Sequence, residues 1–182
     1  IVVAVVTVTA TLLWLWGFQH PMTVAGGLGW DGVEYAKMAN QCWHSALVAR
    51  APFVFRPGTS CVAALLSPDP LRGMWWTNVV ASIVAIGLLG VYLGRHVRDW
   101  KVRATLLVSY VFCWFGPLRY SWWGPAENTD SCFHVLFVAG LLALESRRRS
   151  IYIPLLVLLG TFFREAMLVF VLAIAASKWP NL

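Results

Sequence analysis

Long apolar runs alternate with short polar stretches along this chain. Residues 1–18 form the first run, which ends at Gln19-His20-Pro21, and further runs cover 74–94, 104–120, 131–144 and 151–176. About 20 mostly apolar residues cross the hydrocarbon of a bilayer as a helix, so the pattern predicts five membrane spans. The run 57–67 is about half that length and is bracketed by Arg56-Pro57 and Pro68-Asp69-Pro70, which reads as a short helix lying on the membrane surface. A second surface helix is predicted from Asp31 to about Ala49. There Val33, Ala36, Ala39, Trp43, Ala46 and Leu47 recur at helical spacing, opposite Asp31, Glu34 and Met38. The expected fold is therefore an all-α, polytopic transmembrane bundle. One domain covers 1–182, with the first span at 1–18, a loop carrying both surface helices at 19–73, four further spans within 74–176 and a tail at 177–182.

Composition agrees with lipid as the solvent. Hydrophobic residues make up 59% of the chain and charged residues 12%, with a mean hydropathy of +0.70, too little charge to cover a water-soluble domain of this size. Eleven Trp and five Tyr suit the headgroup level, where amphipathic rings settle. The net charge of +6 reads as orientation signalling and contact with anionic lipid. Its two dense clusters, Arg95 to Arg103 and Arg147-Arg148-Arg149, are separated by two spans and so share a side. Short basic loops stay cytoplasmic, which places the N-terminus inside and the loop 19–73 outside. The four Cys lack a CxxC spacing; four free thiols packed as small hydrophobes is the simpler reading, with a Cys42–Cys61 bridge as the alternative in an oxidising compartment. The chain opens at Ile1 without a Met, as a processed or partial product would.

Ionisable residues that cannot be surface decoration supply the candidate chemistry. Asp31 and Glu34 stand one helical turn apart, where one carboxylate could deprotonate a hydroxyl; a capping box from the same two residues is the plainer alternative. Glu127, Asp130 and His134 fall on one helix face, a weak pattern for a divalent metal, and His134 alone could ligate a haem or chlorophyll or be hydrogen-bonded in the bundle. Arg164-Glu165 sits mid-span, where a charge requires a partner or water, so either a polar cavity or an interhelical ion pair is expected. Arg56 could hold an anion or reach lipid headgroups.

The order of these parts resembles the N-terminal module of the GT-C glycosyltransferases, which include protein O-mannosyltransferases and the aminoarabinose transferases that modify lipid A. The resemblance runs through the acidic surface helix (Trp30-Asp31-Gly32-Val33-Glu34-Tyr35), the Arg56-Pro57 motif, Thr129-Asp130 and Arg164-Glu165. It implies transfer of a sugar from a polyprenyl-phosphate donor to an acceptor on the extracytoplasmic side, in a bacterial inner membrane. Asp31 would be the general base, Glu34 its accessory and Asp130 a second acid. Arg56 and Arg164 would meet the donor phosphate, with Tyr35, Glu127, His134 and Glu165 as further cavity groups and no metal site assigned. Members of the family have about twice as many spans, and several have adjacent acids where Asp31 and Glu34 are three apart. The implied partners are membrane lipid and the lipid-linked sugar, with no nucleic acid. The alternative is a non-catalytic membrane subunit of a larger complex, in contact with lipid or pigment.

Overall fold

The computed structural model describes residues 6, 9, 10, 22–44, 46, 49, 50, 56–113, 116, 130–146, 149–169 and 172. Among the described residues the chain is all helical, with six α-helices and no strand. In chain order these are α1 (Gly32–Gln41), α2 (Gly58–Leu66), α3 (Pro70–His96), α4 (Trp100–Phe112), α5 (Asp130–Leu144) and α6 (Arg149–Thr161). Single 3-10 turns form at Val24–Gly27 and Glu165–Met167. Apart from residues 6, 9 and 10, the expected first span lies outside the described residues, as do the turn from Pro117 to Thr129, Arg147-Arg148 and the tail.

The central element is α3, against which α1, α2, α4 and α5 all pack. It starts four residues earlier than the apolar run suggests. The Asp69 carboxylate accepts the N–H groups of Leu71 (3.0 Å) and Arg72 (3.4 Å), and Pro70 occupies the first turn, where its missing N–H costs nothing. Arg95 stands in the last turn, where a cation meets the negative end of the helix dipole. The 27 residues of α3 span about 40 Å at 1.5 Å per residue. Among the described helices, α3 is the one long and apolar enough to cross a membrane; the apolar stretches Asp130–Leu144 and Ile151–Thr161 are shorter. Its buried side is mostly small, with Gly73, Thr77, Ala81 and Ala85 spaced one turn apart, which lets backbones approach closely. At Gly73 the approach is closest, since a Cβ there would collide with the Ala63 carbonyl of α2.

The shorter helices correct three expectations. First, α4 stops at Phe112 instead of running to Tyr120; it packs Leu107 and Val111 against Ile86 and Leu93. Second, α1 ends at Gln41 instead of near Ala49, and its buried side carries Tyr35 and Met38, packed on Ala63 and Met74. Ala36 and Ala39 are buried as the stripe requires, but Met38 is buried with them and Trp43, beyond the helix end, is exposed, so these two stand opposite to expectation. The cause is non-local, and it is also the third correction: Cys42 is bridged to Cys61, with the Cα atoms 5.4 Å apart. This pins the end of α1 to the second turn of α2 and forces the chain out of the helix. Cys113 and Cys132 are free.

Candidate functional site

The helix α6 breaks immediately before Arg164. Its last turn closes on Gly160, whose carbonyl accepts from both Phe163 (3.0 Å) and Arg164 (2.8 Å). The Phe162 carbonyl is thereby released from the helical ladder. It accepts instead from the Gly58 N–H, at 2.8 Å, one of the donors that a helix start leaves unsatisfied. A Cβ on Gly58 would lie 2.8 Å from both that carbonyl and the Phe163 ring, so the Arg56-Pro57-Gly58 motif needs its glycine to reach the break. Arg56 thus lies two residues before, and Arg164 two residues after, the residues joined by one hydrogen bond.

Arg164 is ion-paired with Asp130, the first residue of α5. Asp130 is 8% exposed, and a carboxylate so withdrawn from water needs a charged partner to stay ionised. Polar side chains surround the start of α5. Ser131 donates to the fully buried Asn78 of α3, and the thiol of Cys132 meets the hydroxyls of Thr59 and Ser131. The Ser60 hydroxyl is buried without a hydrogen-bond partner. Asn78, Ser131 and Thr59 escape sequence reasoning, although Asn78 and Ser82, a turn apart inside an apolar run, were a visible signal.

The other candidates are distributed differently. Asp31 is exposed at the start of α1, and its side chain makes no capping bond. Glu34 does not complete a capping box either. It pairs with Lys37 at 2.7 Å and accepts the Arg50 N–H at 3.2 Å, and these two contacts, Lys37 first, hold its carboxyl below the usual range. Tyr35 is buried among Met38, Ala63 and Met74. His134 shares a hydrogen bond with the Tyr110 hydroxyl of α4 at 2.9 Å, while Asp130 engages Arg164, so the two are committed to different neighbours. Among the described residues no group of three His, Cys, Asp or Glu could hold a metal. Glu127 and the Glu165 side chain lie outside the described residues.

An apolar cleft of about 340 Å³ is lined by Val62 and Leu66 of α2, Val80 and Val84 of α3, Val135 of α5, and Phe163. Phe163 and Cys132, on its wall, flank Arg164 and the start of α5 respectively. With Phe163 next to Arg164 in the chain and Cys132 two residues after Asp130, an amphiphile in this cleft would run its apolar chain along residues that neighbour the charged pair. No protein-family model matches the chain, and no curated protein or solved structure matches it.

Proposed function

We propose that the chain is a GT-C-like glycosyltransferase module, a five-span bundle that takes a sugar from a polyprenyl-phosphate donor on the non-cytoplasmic face. Two features support that orientation. The Cys42–Cys61 bridge lies near the Pro70 end of α3, and disulfides persist in oxidising compartments. The basic residues Arg95, Arg98, Lys101 and Arg103 gather at the other end, as the positive-inside rule requires.

The observation that carries the reading is the convergence of Arg164, Asp130 and the Arg56-Pro57-Gly58 motif on the break in α6, beside the apolar cleft. In this scheme the donor phosphate displaces Asp130 from Arg164, and Arg56 adds a second positive charge. The prenyl chain lies in the cleft. The acceptor hydroxyl gives its proton to Asp31, its oxygen bonds to the anomeric carbon, and the sugar–phosphate bond breaks to release polyprenyl phosphate. Glu34, tied to Lys37 and Arg50, shapes the loop instead of moving a proton.

The test uses the chain in its native membranes with a synthetic polyprenyl-phosphate sugar. Arg164→Gln should raise the donor KM, and Asp31→Asn should abolish turnover with donor binding retained. Equal transfer by both variants and the native protein overturns the scheme. The closed Asp130–Arg164 pair also favours a second reading, a non-catalytic scaffold subunit. That reading wins if Asp31→Asn leaves glycans unchanged while Asp130→Asn releases the chain from a larger assembly.

A further inference from the structure

A second concavity lies between the last turns of α1 and α2. It measures about 360 Å³ and is lined by Asn40, Trp43, His44, Leu65, Ser67 and Pro68, among others. Its construction centres on Trp43. Directly after the bridged Cys42, Trp43 adopts φ 73°, a left-handed conformation that a bulky L-residue enters only under constraint. Its indole Nε1–H donates to the Cys61 carbonyl at 3.2 Å. The disulfide and this hydrogen bond fix one edge of the ring against α2, yet Trp43 remains 66% exposed. A large apolar ring is thus held rigidly in the open, with a strained backbone, and core packing accounts for neither feature.

The rim defines what such a ring could receive. Asn40 and His44 are exposed beside it and offer both donors and acceptors. The Ser67 hydroxyl accepts the Asp69 N–H at 3.1 Å and keeps its own proton to donate. Among the described residues that line it there is no Asp, Glu, Lys or Arg. A phosphate or carboxylate would lack the cation that strong anion binding uses. An acyl chain would strip water from Asn40 and Ser67 without replacing its hydrogen bonds. A pyranose ring satisfies both demands, since it presents a face of C–H groups to an indole and neutral hydroxyls around its edge. The volume lies within the range of about 300–1,000 Å³ typical of small-molecule sites.

We propose that this groove binds a neutral sugar ring of a glycan, stacked on Trp43 and hydrogen-bonded by Asn40 and His44. Assigning that sugar to the acceptor rests on the transferase reading; binding itself requires neither turnover nor the Asp130–Arg164 pair. The competing role for Trp43 is an anchor among lipid headgroups, and the experiment separates the two.

The full chain is placed in nanodiscs of phosphatidylcholine and probed by saturation-transfer NMR. The probes are methyl α-mannopyranoside, methyl β-glucopyranoside, maltose and cellobiose. The groove predicts transfer concentrated on the ring C–H protons of at least one probe. Affinity should fall about tenfold or more in Trp43→Ala, fall less in Trp43→Phe, weaken in Asn40→Ala and His44→Ala, and stay unchanged in Glu145→Gln. Trp43→Phe keeps an aromatic face, so loss in Trp43→Ala with retention in Trp43→Phe is not a folding failure. Absence of transfer to every probe overturns the proposal, as does equal transfer in Trp43→Ala. Quenching of Trp43 by brominated lipid without any sugar signal assigns it to the membrane instead. Sugar binding without donor turnover breaks the transferase reading and leaves the groove standing; turnover without binding at Trp43 does the reverse.

Discussion

The two ends of α3 are tied to α5 and its neighbours by similar chemistry in opposite surroundings. At the Pro70 end, Asp130 pairs with Arg164, Ser131 bonds to a fully buried Asn78, and the Cys42–Cys61 bridge joins α1 to the helix that crosses Gly73. At the His96 end, Glu145 after α5 receives Arg95 at 2.8 Å and meets His96 at 2.5 Å, with these side chains 30–55% exposed. Water competes with every contact at the second end and with few at the first. Polar pairing therefore has high stakes where the candidate chemistry sits and low stakes at the other end. In the proposed scheme, where a donor phosphate replaces the protein carboxylate at Arg164, that setting keeps the arginine's charge compensated in the resting protein.

The largest expected effect comes from opening the buried pair on one side. Asp130→Asn leaves Arg164 without its carboxylate, and breaking one side of a buried pair costs about 3–5 kcal/mol. Arg164 retains 32% exposure, which points to the lower end of that range. Adding Arg164→Gln to Asp130→Asn should restore part of the loss, and a double-mutant cycle from denaturant unfolding in detergent measures the coupling. If Asp130→Asn unfolds with the native midpoint, the two ends do not differ in the way described.

The disulfide ranks next. It closes a loop across a sequence separation of 19, for which chain entropy gives about 3 kcal/mol. Reduction or Cys61→Ser should lower the melting temperature and loosen α1, seen as faster amide exchange at Tyr35 and Met38. The same reduction should leave exchange around Leu93 and Leu107 unchanged, since that cluster lies toward the other end. Equal loosening at both ends would show that the bridge supports the whole bundle.

Asn78→Ala tests the neutral part of the same knot. It removes the acceptor for the buried Ser131 hydroxyl, and a buried group left without its partner costs about 1–3 kcal/mol. Asn78→Ala with Ser131→Ala should cost less than the sum of the two single changes. Strict additivity would mean that the hydrogen bond contributes nothing.

The sequence revealed these two ends unequally, and physical causes explain why. Arg56, Asp130 and Arg164 were visible because a charge inside or beside an apolar run is conspicuous by itself. The start of α5 and the extent of α2 followed from the punctuation around them, Asp130 on one side and the paired prolines on the other. The start of α3 was misjudged because Asp69-Pro70 reads equally as loop and as helix cap. Within α1 the stripe is right for Ala36 and Ala39 and wrong for Met38, and its extension through Leu47 fails because the helix stops at Gln41, beside the Cys42 bridge, a contact set by tertiary packing. Thr59 and Ser131 stayed hidden since uncharged polar residues are tolerated in apolar helices; Asn78 and Ser82, a turn apart in one apolar run, gave a signal, but only pairing identifies the bond from Ser131 to Asn78. An ion pair was one of the two expectations for Arg164, but that its carboxylate is Asp130 was out of reach, because the two lie in separate segments and the helix of Asp130 offered His134 instead.

Glu145 carries the smallest effect and sharpens the comparison most directly. Its hydrogen bonds to His96 and then Arg95 hold its pKa below the ordinary value of 4.5. A carboxyl lowered by folding contributes stability that is fully present above its unfolded pKa and is lost as pH falls through the folded value. Glu145→Gln should therefore lower the melting temperature slightly at neutral pH. The gap to the native protein should shrink as the pH drops below about 4.5, and also in high salt, because exposed charges are screened. Asp130→Asn should respond far less to salt, since a buried pair is shielded from the counterions. A Glu145→Gln loss that matched Asp130→Asn, or one that persisted unchanged in salt and acid, would mean that the exposed clasp bears as much of the fold as the buried knot.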